Sequence, residues 1–150
     1  MGKGVIFEYK IKNDECIDLQ VSKEYDDVIR VSALDKDKKE IGYVNFCVID
    51  ESFYRKSWLN YICVDDEYSH KGIGSALLNV FEYLSVRLRC SYVDGKYYPK
   101  NSAAVEFYKK HEYSIIKDDY QQFLSKRLDE KKIEKEFKKH TNPEEVKDLT

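Results

Sequence analysis

Trp58-Leu59-Asn60-Tyr61-Ile62-Cys63-Val64, then Asp65-Asp66-Glu67-Tyr68-Ser69, then His70-Lys71-Gly72-Ile73-Gly74-Ser75 and Ala76-Leu77-Leu78 form the stretch from which the chain is read. It scans as an apolar strand, a polar turn and a glycine-bearing loop that opens an amphipathic helix. The first N–H groups of a helix have no intrahelical partner, and the helix dipole places partial positive charge there. Such a turn is a ready anion site. Gly72 and Gly74 let backbone approach a ligand without a Cβ in the way, and His70 and Lys71 add donors. We read the anion as a pyrophosphate.

Outward from this stretch, the helix is expected to bury Leu77, Val80, Phe81, Leu84 and Leu88, at spacings of three and four. It ends near Arg89, where Arg87 and Arg89 suit the negative end of the dipole. Ser91 to Val93 begins a strand, so strand, helix and strand imply a parallel crossover. Asp94-Gly95 and Pro99 are expected to break it. Asn101 to Lys110 is a second helix, with Ala104, Phe107, Tyr108 and His111 on one face. Tyr113–Lys117 and Gln121–Leu128 close the sheet around Asp118-Asp119. Upstream, Val5–Lys12 and Cys16–Val21 alternate as strands, and Val28–Leu34 is a third candidate. Glu40–Ile49 is apolar on both faces and so central. The domain spans residues 1–128. Residues 129–150 are a charged tail, read as a solvated helix with only Ile133 and Phe137 apolar at i, i+4, then a new helix start at Thr141-Asn142-Pro143.

A chain of 150 residues fits one core. Charged residues make up 36% of it, yet the net charge is only −2, which gives no drive toward nucleic acid or an anionic membrane. No apolar run reaches the ~18–20 residues of a membrane span. Met1-Gly2-Lys3-Gly4-Val5-Ile6 lacks a signal-peptide core, and Ile6 stands where a myristoylation motif wants Ser or Thr. The four cysteines, Cys16, Cys47, Cys63 and Cys90, form no Cys-x-x-Cys. They read as small hydrophobes in a reducing cytoplasm, with no disulfide framework and no metal. Thirteen tyrosines and seven phenylalanines point to an aromatic core and cleft.

The loop alone excludes two nucleotide folds. A Rossmann loop wants a glycine at position 77, which is Leu, and a Walker loop wants Gly-Lys-Ser/Thr. A second motif, Asn101-Ser102-Ala103-Ala104-Val105-Glu106-Phe107-Tyr108, lies downstream of the first. Together the two resemble the GNAT superfamily of N-acetyltransferases, over about residues 40–117. That family's loop reads Arg/Gln-x-x-Gly-x-Gly/Ala, and its second motif reads Asn-x-x-Ala-x-x-Phe-Tyr, a loop and an aromatic, here Tyr113. The resemblance implies a mixed α/β, GNAT-like acyl-CoA N-acyltransferase fold. Its sheet is mostly antiparallel, with a splayed parallel central pair and flanking helices. It implies transfer of an acetyl group from acetyl-CoA directly to a primary amine of a small molecule or peptide. Backbone groups of Ile62, Cys63 and Val64 would take the pantetheine arm and thioester carbonyl. Amides of His70, Lys71, Gly72, Ile73, Gly74 and Ser75 would hold the pyrophosphate. Asn101 would bond the pantetheine arm, and Tyr108 would stand near the sulfur as the acid for the departing thiolate.

Three departures follow. Ser69 stands at the Arg/Gln position, with His70 after it. The strand before the loop offers Trp58, Asn60 and Tyr61 but no carboxylate base, leaving Asp94 and Glu51 as substitutes. Lys12–Asp27 is too short and too strand-like for the two helices that build the family's acceptor cleft, so that cleft is open or completed in a homodimer. An acyl-CoA-binding sensor or scaffold without transferase activity is the alternative reading.

Overall fold

The computed structural model describes residues 4–25, 27–97, 102–117 and 121–149. Five strands come first: β1 (Val5–Lys10), β2 (Cys16–Tyr25), β3 (Val28–Leu34), β4 (Glu40–Asp50) and β5 (Arg55–Val64). Helix α1 (Ile73–Arg87), strand β6 (Tyr92–Lys96) and helix α2 (Ser102–Lys110) follow. The chain goes on through β7 (Ser114–Lys117), β8 (Gln122–Arg127), α3 (Glu130–His140) and α4 (Pro143–Val146). Among the described residues the strands form one eight-stranded sheet in the order β1-β2-β3-β4-β5-β6-β8-β7. Every pairing is antiparallel except β5 with β6, which α1 joins in parallel. This is the mixed α/β architecture expected, with the parallel pair in its interior.

The two-residue step from β2 to β3 leaves no room for helices, so the N-terminal half is a plain meander. Residues that face α1 across the sheet, among them Leu19, Val31, Val44, Phe46, Leu59 and Leu124, are all at most 2% exposed. They share one cluster with α1, Tyr108 and Phe137. The opposite face is polar and aromatic. There Arg30 lies 3.7 Å over the Tyr43 ring and pairs with Glu24 and Glu40.

Both long helices before residue 113 stop in the same way. Cys90 N–H donates to the Ser85 carbonyl and Arg89 N–H to Val86, each at 2.9 Å, with Arg89 at φ 68°. Tyr113 N–H donates to Tyr108 and Glu112 N–H to Lys109, each at 3.0 Å, with Glu112 at φ 70°. These are Schellman closures that use a non-glycine in the left-handed position. Strand β6 runs through Asp94-Gly95 instead of breaking there, because Gly95 pairs with Leu59 on one side and Leu124 on the other.

The tail is helical, but it is not simply solvated. Asp129 caps α3 by accepting from Lys132 N–H at 3.2 Å. Ile133 and Phe137 are buried, at 5% and 1% exposure. Phe137 stacks on Tyr83 of α1 at 3.8 Å between centroids and meets Phe7 edge-on at 6.1 Å. His140 lies flat against Tyr9 at 4.9 Å and its Nδ1 donates to the Lys10 carbonyl at 2.7 Å. Two apolar residues one turn apart thus suffice to dock a helix otherwise made of Lys and Glu. Asn142 caps α4, accepting from Glu144 N–H at 3.0 Å.

Phe137→Ala removes a fully buried ring and leaves a cavity between α3, α1 and β1. It is expected to cost roughly 3–5 kcal/mol and to lower Tm by on the order of 10 °C, read by calorimetry. Phe53→Ala, at a residue 99% exposed, is expected to leave Tm unchanged.

Candidate functional site

The site begins where the sheet comes apart. Strands β5 and β6 pair from Lys56–Tyr92 to Leu59–Gly95, and the ladder stops there while β5 runs on to Val64. The cause is on the other edge of β5. Against β4, Phe46 faces Leu59 and Asn45 faces Tyr61, so Asn60 is an extra, bulged residue. A bulge bends its strand and sharpens the local twist. Immediately after it β5 leaves β6. Ile62, Cys63 and Val64 stay paired with Val44, Tyr43 and Gly42 of β4, and their β6-side backbone edge has no strand partner among the described residues. The splayed pair expected from the sequence is present. Cys63 is exposed there rather than buried, as is Cys16; Cys90 is the buried cysteine, and all four are unpaired.

Beyond β5 the chain makes a 3₁₀ turn over Asp66–Tyr68 and enters the glycine loop. His70 has φ 62° and Gly72 φ 88°, while Lys71 between them is not left-handed. Alternation of this kind turns successive N–H groups inward into a nest that suits an anion. Helix α1 then starts with Gly72 at its N-cap, with no side chain capping it and no acid in its first turn. Among the described residues no side chain caps that end of the dipole. Lys12 reaches across to donate to the His70 carbonyl at 3.4 Å, and Lys71 lies 5.5 Å from the centre of the Tyr68 ring. Both bring positive charge to the loop. The two glycines divide the work. Gly72 is required by its φ, since a Cβ there meets nothing closer than Lys12 Cγ at 3.4 Å. Gly74 is required by approach, since its Cβ would lie 3.3 Å from the Phe107 ring of α2.

Helix α2 therefore seats directly on the first turn of α1. His111 Nε2 and Ser75 Oγ, 3.0 Å apart, join the two. Burial, with Lys110 and Lys126 nearby, holds the His111 pKa below its ordinary value, so this ring is neutral at pH 7. Tyr108 is 7% exposed, and burial pushes its phenol up to about 12. Its ring meets Phe107 at 5.7 Å and Tyr113 at 5.8 Å, both edge-on. Asn101 lies outside the described residues, as do Pro99 and Asp118-Asp119.

The two substitute bases converge on one ammonium. Lys56 Nζ lies 3.2 Å from Glu51 and 3.3 Å from Asp94. Asp94 also accepts from Ser125 Oγ at 2.7 Å. Asp94 faces Trp58 one step before the ladder ends, so it stands beside the fork, but both its oxygens are engaged.

Three features were not foreseen. The Asn60 bulge carries no distinct sequence signal. Tyr97, just past β6, is 7% exposed, and its hydroxyl is buried with no hydrogen-bond partner among the described residues. Glu82 is buried in α1 with Tyr113 and Lys126 around it. It sits four residues after Leu78 and three before Ser85, inside the apolar stripe, and that spacing was legible. Among the described residues no group of three His, Cys, Asp or Glu side chains is placed to hold a metal, and no helix is long and apolar enough to cross a membrane.

With this geometry in place, comparison with known proteins is direct. Residues 28–115 match the acetyltransferase (GNAT) domain family, and the chain belongs to that family. No curated protein matches the chain as a whole sequence. Among solved structures it resembles the PaiA N-acetyltransferase of Thermoplasma acidophilum in complex with coenzyme A, at 24% identity and TM-score 0.60. That match covers 67% of this chain and 61% of the other, so it spans about three fifths of that relative's length. Arabidopsis thaliana NAA60 bound to a bisubstrate analogue gives 17% identity and TM-score 0.62, over 71% of this chain and 79% of that one. The GNAT domain of S. lividans PAT gives 11% identity and TM-score 0.71, over 82% and 97%. At such identities these three establish the shared fold.

Gly72→Ala tests the loop directly. A methyl finds space, but a non-glycine residue at φ 88° is strained. We expect a loss of about 1–2 kcal/mol in chemical denaturation, and no loss for Ser69→Ala, which lies outside the nest.

Proposed function

We propose that the protein transfers an acetyl group from acetyl-CoA to a primary amine of a small molecule or peptide, directly and without an acyl-enzyme. One coincidence carries this reading. The uncapped, acid-free start of α1, the end of β5 at Val64 and the helix that carries Tyr108 meet at Gly74, where a Cβ would lie 3.3 Å from the Phe107 ring and 3.9 Å from Val64. Helix amides and a nest suit a pyrophosphate, and an unpaired strand edge suits the amide-bearing pantetheine arm. The Tyr97 hydroxyl is a buried donor with no hydrogen-bond partner among the described residues.

Acetyl-CoA supplies the activated acyl group. Backbone amides from His70 to Ser75 would hold its pyrophosphate, with Lys12 and Lys71 adding charge. Asn101 and the β6-side edge of Ile62, Cys63 and Val64 would orient the arm. As the neutral amine attacks the thioester carbonyl, negative charge builds on the oxygen, and fixed N–H donors at the end of β5 stabilise it. The leaving thiolate takes its proton from Tyr108. The raised phenol pKa keeps that proton in place across the whole physiological range. Among the described residues both candidate bases, Asp94 and Glu51, are engaged by Lys56. The amine therefore enters neutral or loses its proton to water, and its fraction in the neutral form sets the rate below its own pKa.

The engagement of both Asp94 and Glu51 by Lys56 favours a second reading, an acyl-CoA sensor without turnover. The four unpaired cysteines suit a reducing compartment, and a cytoplasmic location is proposed on that ground.

Thermal unfolding with and without acetyl-CoA tests binding. At 100 times its dissociation constant a ligand stabilises by about 2.7 kcal/mol, a rise of several degrees for a domain of this size. Gly72→Asp, which adds both strain and a carboxylate beside the amides, is expected to abolish the rise. Release of CoA thiol with a panel of diamines, aminoglycosides, lysine esters and peptide N-termini then separates enzyme from sensor. Binding with no product across the panel would favour the sensor.

The pH profile tests the acid. Tyr108 must be protonated to act, so its ionisation ends activity only on the alkaline side, and burial moves that limb up to about 12. kcat/KM is expected to rise with pH toward the acceptor's pKa, ~10.4 for a lysine-like amine, without turning down. A falling limb near ~10, the ordinary phenol value, would show that Tyr108 is not the acid in this environment.

A further inference from the structure

Helix α1 carries a single acidic residue, Glu82, and it is buried, at 5% exposure. Its Oε2 accepts from the Tyr113 hydroxyl at 2.6 Å. Lys126 Nζ of β8 donates to both carboxylate oxygens, at 3.1 and 3.0 Å, and lies 5.2 Å from the centre of the Tyr113 ring. Burial pushes the Glu82 carboxyl above its ordinary pKa, and Lys126 and Tyr113 pull it part of the way back. A buried ion pair of this kind is a poor way to gain stability, since apolar side chains of like volume serve as well or better. Apart from Ser85, the buried face that Glu82 interrupts is otherwise apolar.

The cluster leads to the reacting centre. Tyr113 is the residue after the left-handed Glu112 in the closure of α2, and its N–H donates to the carbonyl of Tyr108 at 3.0 Å. The accompanying side-chain contact of that closure is the edge-on pair Tyr113–Tyr108, at 5.8 Å and 61°. Tyr108 is thus held by the backbone and the ring of Tyr113, and Tyr113 is held by Glu82. Glu82 in turn belongs to the helix whose first turn carries the nest, about 15 Å away along a rigid axis.

We propose that Glu82, with Lys126 as its counter-charge, is a positioning residue that acts through Tyr113 to set where the Tyr108 hydroxyl stands relative to the amides at the start of α1. The inference rests on the reading of Tyr108 as the acid. α1 then carries the anion site at one end and, ten residues on, the anchor for the acid. The bland alternative is a buried pair that merely ties β8 to α1.

The two are separated by kinetics on the full-length chain. CoA thiol release is measured with the fastest amine of the panel, or with water as acceptor where no amine reacts. Tyr113→Phe removes one hydroxyl and leaves the Glu82–Lys126 pair; Glu82→Gln removes the charge. Each is expected to lower kcat about tenfold, the scale of a small misplacement of a reacting group, while the Kd for acetyl-CoA stays within about twofold of wild type. Because Tyr113 acts through Tyr108, Tyr113→Phe made in a Tyr108→Phe background should change kcat by less than about twofold.

Unchanged kcat with a lowered Tm overturns the proposal, as does an equal further loss in the Tyr108→Phe background. A fall in acetyl-CoA affinity that accounts for the lost rate also overturns it. Should Glu82→Gln fail to fold, Tyr113→Phe carries the test alone. If Tyr108→Phe itself keeps wild-type kcat, the acid assignment has failed. If Tyr108→Phe loses rate and Tyr113→Phe does not, only the positioning role has failed.

Discussion

Everything at the site depends on β5 satisfying β4 along its whole length while abandoning β6 halfway. A strand inside a sheet normally has both edges paired, and an unpaired edge is costly unless water or a ligand meets it. Here the extra residue Asn60 forces the separation, since two residues of β5 must span what one residue of β4 spans. The ladder to β6 ends at the residue before the bulge. The same distortion that leaves Ile62, Cys63 and Val64 without a β6 partner also aims β5 into the loop that starts α1. Strand edge and helix amides are two outcomes of one irregularity.

The start of α1 shows a second constraint of the same kind. Helices α3 and α4 are closed at the N-terminus by side chains, Asp129 and Asn142. At α1 the cap is a glycine, and no acid lies in the first turn. A left-handed His70 is strained as well, since its side chain gains nothing from φ 62°. The protein thus forgoes a side-chain cap at the helix end beside the fork. Unused donors and stored backbone strain at the same few residues fit a place where an anion completes the structure.

Much of this was legible because it is periodic. Val28–Leu34, rich in β-branched and apolar residues, is a strand with the bounds expected. The 3–4 spacing from Leu77 to Leu84 put the right face of α1 against the sheet. The glycine loop and the Asn-x-x-Ala-x-x-Phe-Tyr run were recognisable as local chemistry at a fixed separation. What escaped was not periodic. A bulge inserts one residue without altering composition. The left-handed stops at Arg89 and Glu112 use residues that look like ordinary helix surface, so the chain shows no glycine where the helices end. In α3 two apolar residues among many charges looked too few to dock a helix. Phe137 docks because Tyr83 and Phe7 offer it two aromatic faces, a fact of tertiary position that no window of residues 129–140 contains.

Glu82 is the instructive miss. An acid inside an apolar stripe conflicts with the pattern around it, and natural sequences keep such conflicts mainly where function or specificity needs them. Leu or Met at position 82 would fill the stripe without desolvating a carboxylate, but neither could accept a hydrogen bond from Tyr113. Without that bond the ring of Tyr113 is free to turn about its own side-chain torsions, and the Tyr108 ring loses one of the walls that fix it. The bonded pair narrows both tyrosines to one arrangement. For a hydroxyl proposed to meet a sulfur at hydrogen-bond distance, a narrow distribution of positions matters more than a few tenths of a kcal/mol of packing. On this argument the cost of burying Glu82 sits where precision is needed, on the helix that already carries the other half of the site.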